Sequence, residues 1–205
     1  MTKKKDVMRP ALWTPRPVDE TIAIYADWAA TYDDDLGKRG YHTPTRIADA
    51  LKAFAKPDDP VLDFGCGTGL SGAALKKAGF KCVDGTDVTA EMLEQASASG
   101  LYAKTWLSQP GQLSFGRGVY QIICAAGVIS LGAAPPDTLA ALMAKLNPGN
   151  LLALSFNDPT LADDTYIEAL ADEVSAGRGD VIFREHGRHL DDVEMGSDVI
   201  ILRRR

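Results

Sequence analysis

The residues able to do chemistry cluster in Val61-Leu-Asp-Phe-Gly-Cys-Gly-Thr-Gly-Leu70 and again around Asp87. A short apolar run delivers the chain to Asp63. Glycine then stands at alternate positions, Gly65, Gly67 and Gly69. Glycine lets the main chain turn sharply and lets a ligand approach the backbone. The start of the helix that follows offers free N–H groups to an anionic group. A carboxylate about 20 residues further on, as Asp87 is, can accept both hydroxyls of a ribose. Val88 and Met92 just beyond it could pack on an adenine face. The pattern departs from the dinucleotide loop G-x-G-x-x-G, which needs glycine where Leu70 stands. A carboxylate at Asp63 would repel a pyrophosphate but suits a ligand carrying an ammonium and a sulfonium. The phosphate loop G-x-x-x-x-G-K-S/T does not occur in the chain.

Plainer readings stand beside these. Gly65–Gly69 could form only a tight strand–helix turn. Asp87 could be only a helix cap, and Met92 and Leu93 could be core residues. The aromatic stripe Tyr25, Trp28 and Tyr32 could be the buried face of an amphipathic helix. A mixture fits best, with Trp28 in the core and Tyr25 or Tyr32 at the site.

Such a loop needs a scaffold. Residues to Pro17 include three prolines (Pro10, Pro15, Pro17) and read as an extended arm. From Val18 the apolar spacing of three and four predicts a helix ending near Asp33-Asp34-Asp35. Thr43-Pro44 opens the next helix. Strands are predicted at 60–64, 80–86, 101–107, 119–125 and 151–156. Helices fall between them, at Leu70 to Ala78, Thr89 to Ser97 and Pro136 to Leu146. That alternation argues an α/β fold with one mostly parallel, doubly wound Rossmann-like sheet and helices on both faces. A helix from Thr160 to Ala176 then leads to two strand-like runs, 180–187 and 193–204, which look like an antiparallel hairpin at the C-terminal sheet edge. The expected division is an arm over 1–17, a helical lid over 18–56 and a core over 57–205.

The two acidic-glycine segments resemble motif I and the following acidic motif of class I S-adenosylmethionine (SAM)-dependent methyltransferases. The likeness extends to Tyr25-Ala-Asp-Trp-Ala-Ala-Thr-Tyr-Asp33, which resembles the lid helix of small-molecule members, and to Gly100-Leu-Tyr102, Tyr120 to Ile129 and Leu146-Asn-Pro-Gly149. It is nearest to the Williams–Beuren-region methyltransferase-like group. The resemblance implies SAM as cofactor. It places Asp63 and Gly65 by the methionine moiety, Gly67 under a closely approaching ligand and Asp87 on the ribose, with Cys66 also among the cofactor-binding residues. Two segments depart from the family pattern. Thr105-Trp-Leu-Ser-Gln109 has Ser108 where members often carry an acid for the adenine amine, and Tyr120-Gln121 replaces the usual Tyr-Asp.

The expected reaction is methyl transfer to a small-molecule acceptor by in-line displacement. Alternatives are a non-catalytic SAM-binding or sensing domain and, less favoured, an NAD-dependent oxidoreductase. On the substrate side, Tyr41-His42 follows the lid and Asn157-Asp158 follows the fifth strand, making His42 and Asn157 the candidates. His186 and His189 read as surface residues. A net charge of −6 over 205 residues argues against a nucleic-acid partner. The three cysteines, Cys66, Cys82 and Cys124, form no C-x-x-C pair, so no metal site is expected. No apolar run reaches the roughly 20 residues of a membrane span. Free thiols and the lack of a secretory leader suggest the cytoplasm.

Overall fold

A computed structural model describes the backbone of residues 10–205 and the side chains from Leu12 onward. The basic run Lys3–Lys5 lies outside the described residues. Seven strands form one sheet: β1 (Val61–Phe64), β2 (Val83–Asp87), β3 (Thr105–Leu107), β4 (Ile122–Ala125), β5 (Leu151–Asn157), β6 (Gly179–Leu190) and β7 (Met195–Arg204). Their order is β3-β2-β1-β4-β5-β7-β6. The first five run parallel, whereas β7 is antiparallel to both β5 and β6. The strand order reverses between β1 and β4, and a crevice opens at the carboxyl ends of strands at such a switch point.

Burial of both sheet faces explains the strand compositions. All seven residues of β5 are buried. Neighbouring residues serve opposite faces: Leu62, Ile123 and Leu152 join one core with Leu139, Met143 and Leu170. Val61, Ile122 and Leu151 join the other with Ile47, Leu51 and Leu75. The helices that cover these faces are α3 (Thr43–Leu51) and α4 (Leu70–Lys77) on one side, α6 (Asp137–Ala144) and α8 (Asp164–Ser175) on the other. Continuous apolar runs are what a two-sided burial demands.

Several element boundaries differ from the sequence reading. The arm is not extended throughout, since Pro10–Trp13 forms a 3-10 turn and Leu12 is buried against Trp28, Leu36 and Leu190. The first helix does not run into the aspartate triplet. It stops as α1 (Val18–Trp28), passes a 3-10 turn (Ala29–Thr31) and restarts as α2 (Tyr32–Arg39). Asp33, Asp34 and Asp35 occupy the first turn of α2 and Lys38 and Arg39 its last, so the acids start a helix and favour its dipole. Gly40 ends α2 in the left-handed conformation, φ 67°. The N-cap position of α3 is His42, not Thr43, whose hydroxyl goes instead to His189. The helix expected from Thr160 is split into α7 (Asp158–Leu161) and α8, because the Asp163 side chain accepts from Thr165 N and starts a new helix. The antiparallel hairpin lies at the sheet edge as expected: β7 pairs with β5, and β6 is the outermost strand.

Phe156 on β5 is fully buried and meets the Tyr166 ring edge-on at 6.0 Å. Phe156→Ala is expected to lower the unfolding free energy by about 3–5 kcal/mol. The readout is a lower urea midpoint at unchanged slope.

Candidate functional site

Asp63, near the end of β1, has no exposed surface. One carboxylate oxygen accepts hydrogen bonds from Ser71 Oγ and Tyr102 Oη, each at 2.7 Å. The other, Oδ1, has no hydrogen-bond partner among the described residues. Burial raises the Asp63 pKa to about 6, against the lowering effect of the Ser71 and Tyr102 hydrogen bonds. Tyr102 reaches Asp63 because Gly72 and Gly85 make room: a Cβ on Gly72 would strike its hydroxyl, and one on Gly85 would lie 3.0 Å from its ring.

The loop beyond β1 is fixed from two directions. The Gly65 and Cys66 amides donate to the Thr86 carbonyl on β2 at 2.8 and 3.0 Å. Gly67 N donates to Asp87 Oδ2 at 2.8 Å, and Thr89 N donates to Asp87 Oδ1 at 2.8 Å. Asp87 therefore closes an Asx-type turn and ties the glycine loop to the end of β2. It is not the cap of α5 (Ala90–Ala98): Thr89 holds that position and makes no side-chain cap bond. Gly67, at φ 54°, has open space where a Cβ would project. Gly65, at φ 69°, has none, since Val128 fills it. Burial raises the Asp87 pKa despite the bonds from Thr89 and Gly67.

Above this loop lies a cavity of about 470 Å³, within the range of ordinary small-molecule sites. Gly65, Gly67, Asp87, Val88, Met92 and Ser108 line one part of it. Met92 is also 2% exposed, so it serves both cavity wall and core. Tyr25, Tyr32 and Tyr41 line the same cavity. Trp28 is buried and donates through Nε1 to Asp35 at 2.9 Å. Hydrogen bonds tie the lid to the core beside the cavity: Thr68 Oγ1 donates to Asp33 Oδ1 at 2.5 Å, and Gln95 Nε2 donates to the Ala29 carbonyl at 2.7 Å.

Not every expected site residue reaches the cavity. Asp63 and Cys66 are buried beneath it rather than lining it. His42 points away and pairs with Asp191 in the C-terminal hairpin at 2.9 Å. Asn157 is buried and caps α7, accepting from Thr160 N at 3.1 Å. Both substrate candidates are thus committed to structural partners. His186 is exposed, but His189 is not a surface residue. It is 6% exposed, its Nδ1 meets Thr43 Oγ1 at 2.7 Å, and burial lowers its pKa to about 4. Conversely, Tyr41, the neighbour of His42, faces the cavity. Tyr102, under the loop, also had no assigned role. An aromatic followed by an exposed-looking polar residue carries no period that would separate the two in sequence.

Residues 39–193 match the methyltransferase-domain family. Methyltransferase-like protein 27 of Homo sapiens is 33% identical over 163 residues, covering 76% of this chain and 66% of that protein. The ribosomal protein L11 methyltransferase of Burkholderia orbicola (strain MC0-3) is 27% identical over 153 residues, covering 69% and 50%. The chain therefore spans about half to two thirds of the length of these relatives. Among solved structures, magnesium protoporphyrin IX methyltransferase from Synechocystis PCC 6803 with bound SAM has a TM-score of 0.63 and 18% identity, covering 90% of this chain and 97% of that one.

The raised Asp63 pKa predicts a pH-dependent cost. An acid whose folded pKa exceeds its unfolded value stabilises the fold fully below the unfolded value and loses that contribution as pH rises through the folded one. The shift from 3.8 to about 6 corresponds to about 3 kcal/mol. The stability difference between Asp63→Asn and the parent protein should thus move in the variant's favour by about 2–3 kcal/mol between pH 4 and pH 7. Urea unfolding across that range is the measurement; a difference that stays constant would contradict a buried, raised carboxyl.

Proposed function

The chain belongs to the class I SAM-dependent methyltransferases, and from that footing we propose that it is an active enzyme methylating a small-molecule acceptor. The cavity is the observation that carries the proposal. Beyond the wall formed by the glycine loop, Asp87 and Ser108, it continues into a part lined by Val18, Ile22, Ala133, Ala134, Pro135 and Ala141. Thr21, Asp137 and Thr138 line the cavity beside these apolar residues, and the arm and lid overhang it. Its size suits a metabolite better than a polymer strand.

The residues present fit SAM. Asp63 Oδ1 is a buried acceptor without a protein partner, and the space over Gly67 admits a ligand against the main chain. In this reading Asp87 holds the ribose hydroxyls with the lone pairs left over from Gly67 and Thr89. Val88 and Met92 flank the adenine, Ser108 lies beside it, and Tyr25 and Tyr32 close over the methionine end. Gly65 and Cys66 fix the turn above Asp63. When bound, SAM supplies a methyl group already activated as a sulfonium.

The protein's tasks are then to align and to exclude water. The lid performs the second, with Tyr25 and Tyr32 covering the cavity and the Asp33–Thr68 and Ala29–Gln95 bonds holding them there. The part of the cavity beyond the glycine loop holds the acceptor in line with the methyl group. The three cavity tyrosines are neutral, since burial raises the pKa of each. They orient and shield; none is a base near neutral pH.

Two experiments test the proposal. S-adenosylhomocysteine should raise the melting temperature, whereas NAD should not. A metabolite screen with labelled SAM should then find an acceptor; bound cofactor with no transfer to any of a broad panel would favour a sensing domain. Asp87→Ala should weaken cofactor binding by roughly 10- to 100-fold through loss of charge-assisted hydrogen bonds. Isothermal titration checks it, with circular dichroism confirming that the variant folds.

A further inference from the structure

Tyr41 reaches the cavity from outside the α1–α2 stripe. It follows Gly40, which ends α2, and forms an isolated antiparallel bridge with Leu190 of β6. Its ring meets His189 edge-on, with centroids 5.2 Å apart and planes at 84°. His189 is itself held by Thr43, and Thr43 Oγ1 lies 3.0 Å from Ser197 Oγ. Tyr41 is therefore set by packing and by a buried polar chain rather than by a helix period.

Its hydroxyl stands over the end of β4. A Cβ on Gly127 would lie 2.9 Å from it. This places the phenol above the switch point between β1 and β4. Tyr25 and Tyr32 face the same cavity, with their ring centroids 6.2 Å apart. Two buried carboxylates add negative potential: Asp63 acts on Tyr41, and Asp87 acts on Tyr25 and Tyr32. Among the described residues lining the cavity, the one basic side chain is Arg16. Aromatic rings and phenol oxygens attract a desolvated cation, and buried carboxylates seek one.

We propose that Tyr41 is the third wall, with Tyr25 and Tyr32, of an aromatic cage that selects the charged sulfonium cofactor over its neutral thioether product. The proposal rests on the cofactor reading above and adds a specificity residue to it. In methyl transfer the bond between sulfur and methyl carbon breaks with its electron pair left on sulfur, and the acceptor's lone pair forms the new bond. Positive charge passes to the acceptor, or leaves it as a proton. The cage then faces an uncharged sulfur and loses the attraction it was built for. Discrimination of this kind favours exchange of product for fresh cofactor.

The test keeps the shape of residue 41 while draining its negative potential. Tyr41 is replaced in the full chain by Phe, then by trifluoro- and pentafluorophenylalanine, and the Kd values for SAM and S-adenosylhomocysteine are measured by calorimetry. Affinity for SAM should fall stepwise, by roughly two- to thirty-fold over the series. Affinity for S-adenosylhomocysteine should stay within about two-fold. A flat response to SAM, or a parallel fall for both ligands, overturns the cage. A parent protein that binds neither ligand overturns the cofactor reading itself, so the two failures are distinguishable.

Discussion

The site is organised around one buried carboxylate. Asp63 lies at the end of a strand with no exposed surface, and burying a charge is costly unless it is hydrogen-bonded. The surrounding residues follow from that need. Ser71, in the first turn of α4, turns its hydroxyl back to Asp63, and Tyr102 crosses over the sheet to give a second donor. For Tyr102 to cross, positions 72 and 85 must lack a Cβ, one inside a helix and one inside a strand, where glycine is otherwise unfavourable. Two hydrogen bonds still leave one oxygen without a partner. That oxygen lies buried beneath the cavity.

Asp87 plays a different part. Its carboxylate is satisfied by main-chain amides of two segments, so it stitches the glycine loop to the start of α5 as well as facing the cavity. The same loop is stitched to the lid, because Thr68 donates to Asp33. Asp33 lies in the first turn of α2, and α2 ends at Gly40, whose position is pressed by Asp191 of the hairpin turn. Asp191 also receives Arg188 and His42, while Arg39 pairs with Asp192. The lid is therefore anchored at its far end by exposed ion pairs, each worth little, and at its near end by the loop that the cofactor would touch.

Much of this was legible in the sequence, for identifiable reasons. The parallel sheet follows from apolar runs that both faces bury, and the glycine loop and Asp87 from spacing that the switch point imposes. Tyr25 and Tyr32 came from a helical period, even though the helix breaks at Ala29–Thr31 and only the neighbouring turns preserve the face. What local pattern could not reveal depends on contacts distant in sequence. His42 and Tyr41 are adjacent, yet one meets Asp191 and the other the cavity, and that choice is made by the end of β6 and the turn after it, nearly 150 residues later. His189 is buried because Thr43 reaches it, not because of its own neighbours. Asn157 stands at the carboxyl edge where ligands bind, but the turn into α7 claims its side chain.

The same distinction bears on how a short chain can build a closed site. The cavity is bounded by the carboxyl ends of the strands, by the segment after β4 and by the arm and lid, with Thr21 Oγ1 donating to the Gly132 carbonyl at 2.9 Å across the gap. That bond links α1 to the loop following β4, just as Gln95 links α5 to the turn after α1. The lid is thus braced at both ends of α1, by Thr21 in its first turn and by Ala29 just past its end. Tyr25 stands four residues from each brace, so the helix that carries it is held on both sides of the ring that faces the cavity, and the lid's position does not depend on that tyrosine alone.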